Sequence, residues 1–103
     1  MYDSIDIKEI DRINIGTSSL NYKNVLLDIR DKYEYILGNI PRSINIPSSY
    51  LMVMPENYLD LDTTYYIYCD SGIKSRKLCS YLSDLGYKVI DLIGGYKEYL
   101  DGK

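Results

Sequence analysis

The sequence YYIYCDSGIKS, residues 65–75, changes from a strand pattern to a helix pattern within a few positions. Residues 65–68 form an aromatic and β-branched run that is typical of a central strand, and this strand ends at Cys69. A glycine-containing loop follows, and apolar side chains at helical spacing then mark one face of a helix that Gly86 terminates. That face consists of Leu78, Cys79, Leu82 and Leu85. The pattern therefore predicts a strand, a loop and a helix in direct succession.

The segments on either side continue this alternation of strands and helices. Capping patterns begin two of the helices, because Asp6 is followed three positions later by Glu9, and Asp31 by Glu34. Strands that alternate with helices indicate an α/β fold, with a mostly parallel sheet and helices on both faces. The predicted helices are residues 6–13, 31–37 and 96–100, the further strands are 25–29, 43–47 and 89–92, and a turn over 14–19 and a helix-rich connection over 48–60 complete the order.

Length and composition predict one globular domain over residues 1–103. A chain of this length buries roughly two-thirds of its unfolded surface, which is enough for a core without disulfides. The two cysteines lie ten positions apart and make a poor disulfide framework, so we expect a reducing compartment.

Charge and apolar patterning exclude several classes of partner. The formal net charge is -3 and the sequence pI is about 4.8, so neither nucleic acid nor an anionic membrane is attracted to this surface. The first residues lack a signal-peptide pattern, and no apolar run approaches the ~20 residues of a membrane span. We therefore expect a cytoplasmic protein that binds neither nucleic acid nor membrane.

The absence of histidine restricts the possible chemistry. It excludes a Ser-His-Asp triad, a Cys-His dyad and any histidine metal ligand within the chain, and two cysteines are too few for a four-cysteine zinc site. No metal site is expected. Catalysis must then use carboxylates, Lys or Arg, tyrosines, backbone amides or one of the two thiols.

Cys69 is the candidate nucleophile because ligands of open α/β sheets bind beyond the carboxyl ends of the strands. Backbone amides of the following loop and the N-terminus of the next helix both stabilise a thiolate there. The helix terminus lowers a thiol pKa by about one unit at most, and converging amide hydrogen bonds lower it further. We expect Cys69 to titrate below the free value of about 8.5, whereas Cys79 lies within the apolar helix face and is expected to fill the core.

Several segments together resemble the signatures of rhodanese-like sulfurtransferase domains. The segment YCDSGIKS at 68–75 resembles the family's active-site loop, and the glycines at 94–95 resemble the family's late glycine pair. The set covers about residues 4–100 in the family's order and spacing. The segments that resemble the first signature are LLDIR at 26–30, EY at 34–35 and GNIPRSINIP at 38–47.

The resemblance implies a five-stranded, mostly parallel sheet and a loop cysteine that carries sulfane sulfur as a persulfide. By position, Cys69 is the nucleophile, Asp28 and Arg30 have structural roles, and no cofactor is required. The expected reaction moves sulfur from small donors such as thiosulfate or a persulfide, or from a protein persulfide, to a thiol or cyanide acceptor. Backbone amides of the loop are expected to hold the terminal sulfur, and the loop residues are Asp70, Ser71, Gly72, Ile73, Lys74 and Ser75.

The chain departs from the family pattern at four positions. The family usually has histidine at the position of Asn39, glycine at that of Arg42 and arginine at that of Lys74. Asp70 has a larger expected effect, because a carboxylate beside the nucleophile repels a dianionic donor such as thiosulfate. A persulfide donor is therefore the expected preference.

Two other functions remain open at this point. A cysteine phosphatase or arsenate reductase needs arginine six positions after the cysteine, whereas Ser75 occupies that position and Arg76 lies one residue later. A non-catalytic binding module with the same fold, in which Cys69 is incidental, is the second alternative. Tyr68 and Tyr96 lie near the loop and are expected to pack rather than to react.

Overall fold

The computed structural model describes residues 1–15 and 23–103, and within these ranges strands and helices follow one another along the chain. Of the turn predicted over residues 14–19, the part from 16 to 19 lies outside the described residues. The strands are β1 (Asp3–Asp6), β2 (Asn24–Asp28), β3 (Ser43–Asn45), β4 (Thr64–Tyr68) and β5 (Lys88–Ile93). The α-helices are α1 (Lys32–Leu37), α2 (Ser48–Val53), α3 (Ile73–Asp84) and α4 (Gly95–Asp101), and short 3-10 helices span Ile7–Arg12 and Pro55–Asn57.

The five described strands form one sheet in the order β1-β5-β4-β2-β3, and every pair is parallel. The predicted α/β fold with a five-stranded parallel sheet is confirmed. The register aligns the ends of the two inner strands, since Asp28 of β2 lies opposite Tyr68 of β4. Cys69 and Ile29, which follow these residues, therefore emerge at the same edge of the sheet.

Alternate side chains of the strands fill two apolar layers, one on each face of the sheet. Leu27 of β2 packs in the layer formed with α2 and α3. Its neighbour Leu26 packs on the opposite face with the first 3-10 helix, and Tyr96 of α4 packs against that layer. Helices thus cover both faces, as expected for a parallel sheet.

The helix predicted over residues 6–13 is present as a 3-10 helix over Ile7–Arg12, and strand β1, which precedes it, was not predicted. Asp6 caps this helix by accepting a hydrogen bond from the Lys8 N–H at 2.9 Å, not from the predicted third position. Three of the four residues of the strand DSID are polar, so the sequence carries no apolar strand signal there. None of the four is buried, and pairing with β5 determines the conformation of this segment.

The second capping prediction is confirmed. The Asp31 side chain accepts a hydrogen bond from the Glu34 N–H at 3.1 Å, and α1 begins at Lys32 and ends before Gly38. The predicted strand at 43–47 is shorter, because Pro47 precedes α2 and pairing with β2 covers only Ser43–Asn45. Within the described ranges, no helix combines the length and the apolar character needed to cross a bilayer.

Candidate active site

Cys69 lies directly after β4, and its sulfur receives two backbone hydrogen bonds. The N–H of Gly72 donates to Sγ at 3.1 Å, and the N–H of Ser75 donates to it at 3.3 Å. The residue is 3% exposed, so these donors replace most of the water that a free thiolate binds. Hydrogen bonds from amides favour the charged form of the group that accepts them.

The cysteine sulfur takes the place of a capping group for α3. Gly72 precedes the helix with φ 98°, a left-handed conformation that bends the loop back towards Cys69, and it provides no side-chain cap. Ser75 is the third residue of α3, and its N–H is one of those that an N-cap oxygen normally satisfies. Sγ accepts this N–H instead, at the end of the helix that carries partial positive charge.

The predicted site residues divide between an open cleft and its rear wall. Gly72 and Ser75 contribute amides behind the sulfur. Arg30 and Glu34 also line the cleft, although neither was predicted as a site residue. The cleft has a volume of about 400 Å³, and its other lining residues are Cys69, Asp70, Ser71, Ile73 and Lys74.

The N-terminus of α4 fixes the backbone at Cys69. The N–H of Tyr96 donates to the carbonyl of Cys69 at 2.8 Å, and the N–H of Lys97 donates to the carbonyl of Asp70 at 3.0 Å. Gly95 allows this close approach, since a Cβ at this position would lie 2.5 Å from the Asp70 oxygen and 2.8 Å from the Cys69 oxygen. The sequence identifies the glycine pair but not this contact.

Arg30 and Asp28 form a buried ion pair that joins the end of β2 to the loop after α1. The guanidinium donates to both carboxylate oxygens at 2.7–3.1 Å and to the Gly38 carbonyl at 2.6 Å. Burial disfavours the charge of Arg30, but the hydrogen bonds and charge of Asp28 outweigh it and raise the pKa of Arg30. The guanidinium also lies 4.2 Å from the centre of the Tyr96 ring. Arg30 is thus committed to structural contacts, as the resemblance implies.

A second buried carboxylate contacts the loop from behind. The Ser75 hydroxyl donates to Asp91 Oδ1 of β5 at 2.7 Å, and Asp91 is 3% exposed. Burial raises the pKa of Asp91, although the Ser75 hydrogen bond and the charge of Arg76 act in the opposite direction. Its signal in the sequence is a lone aspartate within the apolar strand VIDLI at 89–93, and no local pattern predicts a role for it.

Cys79 fills the core, as predicted. It is completely buried among apolar residues between α3 and the sheet. Burial, followed by the charges of Asp91 and Cys69, raises the pKa of its thiol well above the ordinary range, so the thiol stays protonated.

Comparisons with known proteins agree with this geometry. A family model described as the Rhodanese-like domain matches residues 15–101. The chain belongs to the rhodanese-like domain family. A sulfurtransferase of Allochromatium vinosum is 34% identical over 91 residues, which is 86% of this chain and 84% of that protein.

Other members of the family differ in length. An adenylyltransferase and sulfurtransferase, uba4, of Ogataea parapolymorpha is 29% identical over 90% of this rhodanese-like chain, which spans 24% of that protein. The crystal structure of a rhodanese-related protein from Thermoplasma volcanium matches with a TM-score of 0.77 and 30% identity, over 98% of this chain and 93% of the other. Relatives named sulfurtransferase support a rhodanese-type transferase at the level of the family.

Proposed function

We propose that this protein is a sulfurtransferase that carries sulfane sulfur as a persulfide on Cys69. It takes the sulfur from thiosulfate or a persulfide donor and passes it to a thiol or to cyanide. The observation that carries the proposal is the pair of amide hydrogen bonds to Sγ, at 3.1 and 3.3 Å, at the N-terminus of α3. This arrangement stabilises a reactive anion without a histidine base.

The reaction proceeds in two steps that each exchange one sulfur–sulfur bond. The Cys69 thiolate attacks the outer sulfur of the donor, a Cys69–sulfur bond forms, and the donor's own sulfur–sulfur bond breaks. The electron pair leaves with the remainder of the donor, which is sulfite when the donor is thiosulfate. The charge then lies on the outer sulfur of the Cys69 persulfide.

In the second step the acceptor removes that outer sulfur. An acceptor thiolate attacks it and forms a new persulfide, whereas cyanide forms thiocyanate, and in both cases the electron pair of the broken bond returns to Cys69. Neither step transfers a proton when the thiols react as thiolates. The backbone amides of residues 70–75 hold the persulfide charge as fixed donors, which need no reorganisation during the reaction.

The charges around the cleft support a preference among donors. Asp70 is exposed at the cleft and Glu34 is partly exposed, whereas Lys74 is the free cation, since Asp28 neutralises Arg30. Apart from the Cys69 thiolate, the cleft therefore carries one excess negative charge and repels dianionic thiosulfate, although solvent screening weakens the effect. A low-molecular-weight or protein persulfide is the proposed physiological donor.

The relative from Ogataea parapolymorpha supports a protein as a sulfur partner. The region of that protein that resembles this chain is one part of a polypeptide named for an adenylyltransferase and a sulfurtransferase.

Both cysteines of the described structure are free thiols, which is consistent with the proposed cytoplasmic location and with Cys69 acting as a thiolate.

The position of Arg76 argues against the phosphatase alternative. Arg76 follows Ser75 on α3 and lines a separate cavity of about 200 Å³ together with Asp91 and Ile93, rather than the Cys69 cleft. No guanidinium on α3 therefore lines the cleft, where it could bind an oxyanion.

Intact-mass analysis after incubation with a donor tests the proposal. Thiosulfate and glutathione persulfide are each added to the reduced protein, and we expect a gain of one sulfur atom that a thiol then removes. Cys69→Ser must abolish this gain, and Cys79→Ser serves as the matched control that retains it. If no donor adds sulfur to the folded protein, the protein is a binding module and the proposal is wrong.

The donor preference has its own test. Asp70→Asn is expected to lower the KM for thiosulfate several-fold at low ionic strength, and the difference is expected to shrink when salt is added. Asp62→Asn removes a charge that is also exposed, from the segment that precedes β4 at the other end of that strand, and serves as the control. If both variants have the wild-type KM, charge at the cleft does not select the donor.

A further inference from the structure

Asp91 is a buried charge for which sulfur transfer as described has no use. By alternation along β5 it shares the face of Val89, which packs in the apolar layer beneath α3. Burying a carboxylate in such a place is costly unless it is well hydrogen-bonded. The Asp91 carboxylate accepts a hydrogen bond from the hydroxyl of Ser75 at 2.7 Å.

Ser75 connects this carboxylate to the nucleophile. It is completely buried, and its backbone N–H donates to Cys69 Sγ at 3.3 Å while its hydroxyl donates to Asp91. Ser75, in the first turn of α3, is therefore bonded to the sheet through its hydroxyl and to the Cys69 sulfur through its N–H. A short hydrogen bond to a charged acceptor is among the stronger ones in proteins.

The Ser75 hydroxyl also has a competing acceptor. Its oxygen lies 3.3 Å from the carbonyl of Gly72, and this carbonyl already accepts the N–H of Arg76 at 3.3 Å, the bond that opens α3. The closer, charged Asp91 takes the single hydroxyl proton. Without Asp91 the hydroxyl turns to Gly72, whose own N–H is the other donor to Sγ.

We propose that Asp91 is a positioning residue, which holds the Ser75 hydroxyl away from the Gly72 carbonyl and so keeps both amide donors directed at Cys69. This inference rests on the proposed function, because it concerns the same sulfur. It assigns a role in the chemistry to a side chain that does not line the cleft.

The other charged and titratable groups around Asp91 come from two elements. Arg76 and Cys79 face it from α3, and Tyr2 faces it from the segment before β1. Arg76 favours the carboxylate, whereas burial raises the pKa of Asp91. The negative charge of Asp91 opposes a thiolate nearby, so the hydrogen bond that it makes and the charge that it carries act on Cys69 in opposite directions.

Two variants separate the hydrogen bond from the charge. Asp91→Asn keeps an oxygen that accepts the Ser75 hydroxyl and removes the charge, whereas Asp91→Ala removes both. The double variant Ser75→Ala/Asp91→Ala also removes the hydroxyl, so no buried polar group is left unpaired and folding is protected. The readout is the pH profile of iodoacetamide alkylation at Cys69, followed by mass spectrometry of its peptide, with thermal unfolding measured in parallel.

We expect the midpoint of the alkylation profile to rise by about half a pH unit in Asp91→Ala, which slows alkylation by up to about threefold at pH values below the midpoint. Asp91→Asn keeps the acceptor, and the double variant has no hydroxyl that could turn towards Gly72, so both are expected to keep the wild-type midpoint or lower it. The inference is wrong if Asp91→Ala keeps the wild-type midpoint, or if Asp91→Asn or the double variant shifts upward as far as Asp91→Ala. Alkylation needs no sulfur donor, so this result is independent of whether Cys69 transfers sulfur.

Discussion

Replacing Gly95 by alanine tests how strongly the glycine at the start of α4 constrains the backbone at Cys69. Gly95 has φ 68°, and its missing Cβ would lie 2.5 Å from the carbonyl oxygen of Asp70 and 2.7 Å from its carbonyl carbon. The neighbouring Cys69 carbonyl oxygen would be 2.8 Å away. These are backbone atoms, so no side chain can rotate to make room.

The expected loss of stability has two parts. A left-handed conformation costs an alanine about 1–2 kcal/mol relative to glycine. The added carbon would lie about 1 Å inside ordinary contact distance, and overpacking of this kind costs about 1–3 kcal/mol. We therefore expect Gly95→Ala to lower the free energy of unfolding by about 2–5 kcal/mol, a large fraction of the ~5–15 kcal/mol of a typical domain.

The same change should slow the proposed sulfur transfer. Relief of the contact requires the carbonyls of Cys69 and Asp70 to move away from α4, whose Tyr96 and Lys97 amides now hold them. Displacement of a reacting group by about 1 Å can cost roughly a hundredfold in rate. We expect a loss of about ten- to a hundredfold in the rate of persulfide formation, measured under conditions in which the variant is folded.

Two other glycines provide matched controls. Gly86 also has a positive φ, 100°, but its Cβ would meet its nearest neighbour at 3.9 Å, so Gly86→Ala reports the cost of the conformation alone. Gly102 has φ -82° and contacts no closer than 3.6 Å, so Gly102→Ala should be neutral or slightly stabilising. Urea unfolding followed by circular dichroism gives the three free energies. If Gly95→Ala costs no more than Gly86→Ala and forms a persulfide at the wild-type rate, the contact does not constrain Cys69.

Three further predictions concern Arg42, Asp91 and Cys79. Arg42 has φ 74° without being glycine, so Arg42→Gly should raise the free energy of unfolding by up to about 1 kcal/mol, and a lower urea midpoint would contradict this. Burial raises the pKa of Asp91 in the folded state above the ordinary 3.8, so its contribution to stability is present below about pH 4 and is lost as the pH rises through the raised value. Asp91→Asn does not titrate and should gain stability relative to wild type between pH 4 and pH 7 in urea unfolding; a difference that is independent of pH would refute this. Burial keeps the Cys79 thiol protonated, so iodoacetamide at pH 8 should label Cys69 at least roughly tenfold faster than Cys79, and equal labelling would show that Cys79 is accessible and ionised.

The sequence was sufficient for the parts of the fold that have strong local signals. The inner strands are apolar runs, α1 has a capping aspartate at Asp31, and the position of Cys69 at the end of β4 follows from strand length alone. β1 was missed because its four residues are polar or partly exposed, and pairing with β5 at the far end of the chain supplies its hydrogen bonds.

The candidate site was predictable in position but not in its supporting contacts. Motif spacing identified the candidate nucleophile and its loop, since both belong to one continuous segment. The hydrogen bond from Tyr96 to the Cys69 carbonyl and that from Ser75 to Asp91 join segments far apart in sequence. Such contacts depend on how β5 and α4 are placed against the loop, and no local pattern encodes that placement.

The pairing of β1 with β5 has a consequence for how the chain folds during its synthesis. β1 is made before the other four strands, whereas β5, its partner in the sheet, is the last strand to be made. At ~5–20 residues per second, a ribosome takes on the order of ten seconds to cover that interval. Throughout this time the edge of β1 is unpaired, and a chain that stops before Lys88 never pairs it. The sheet is therefore completed only after the segment that carries Asp91 has been translated.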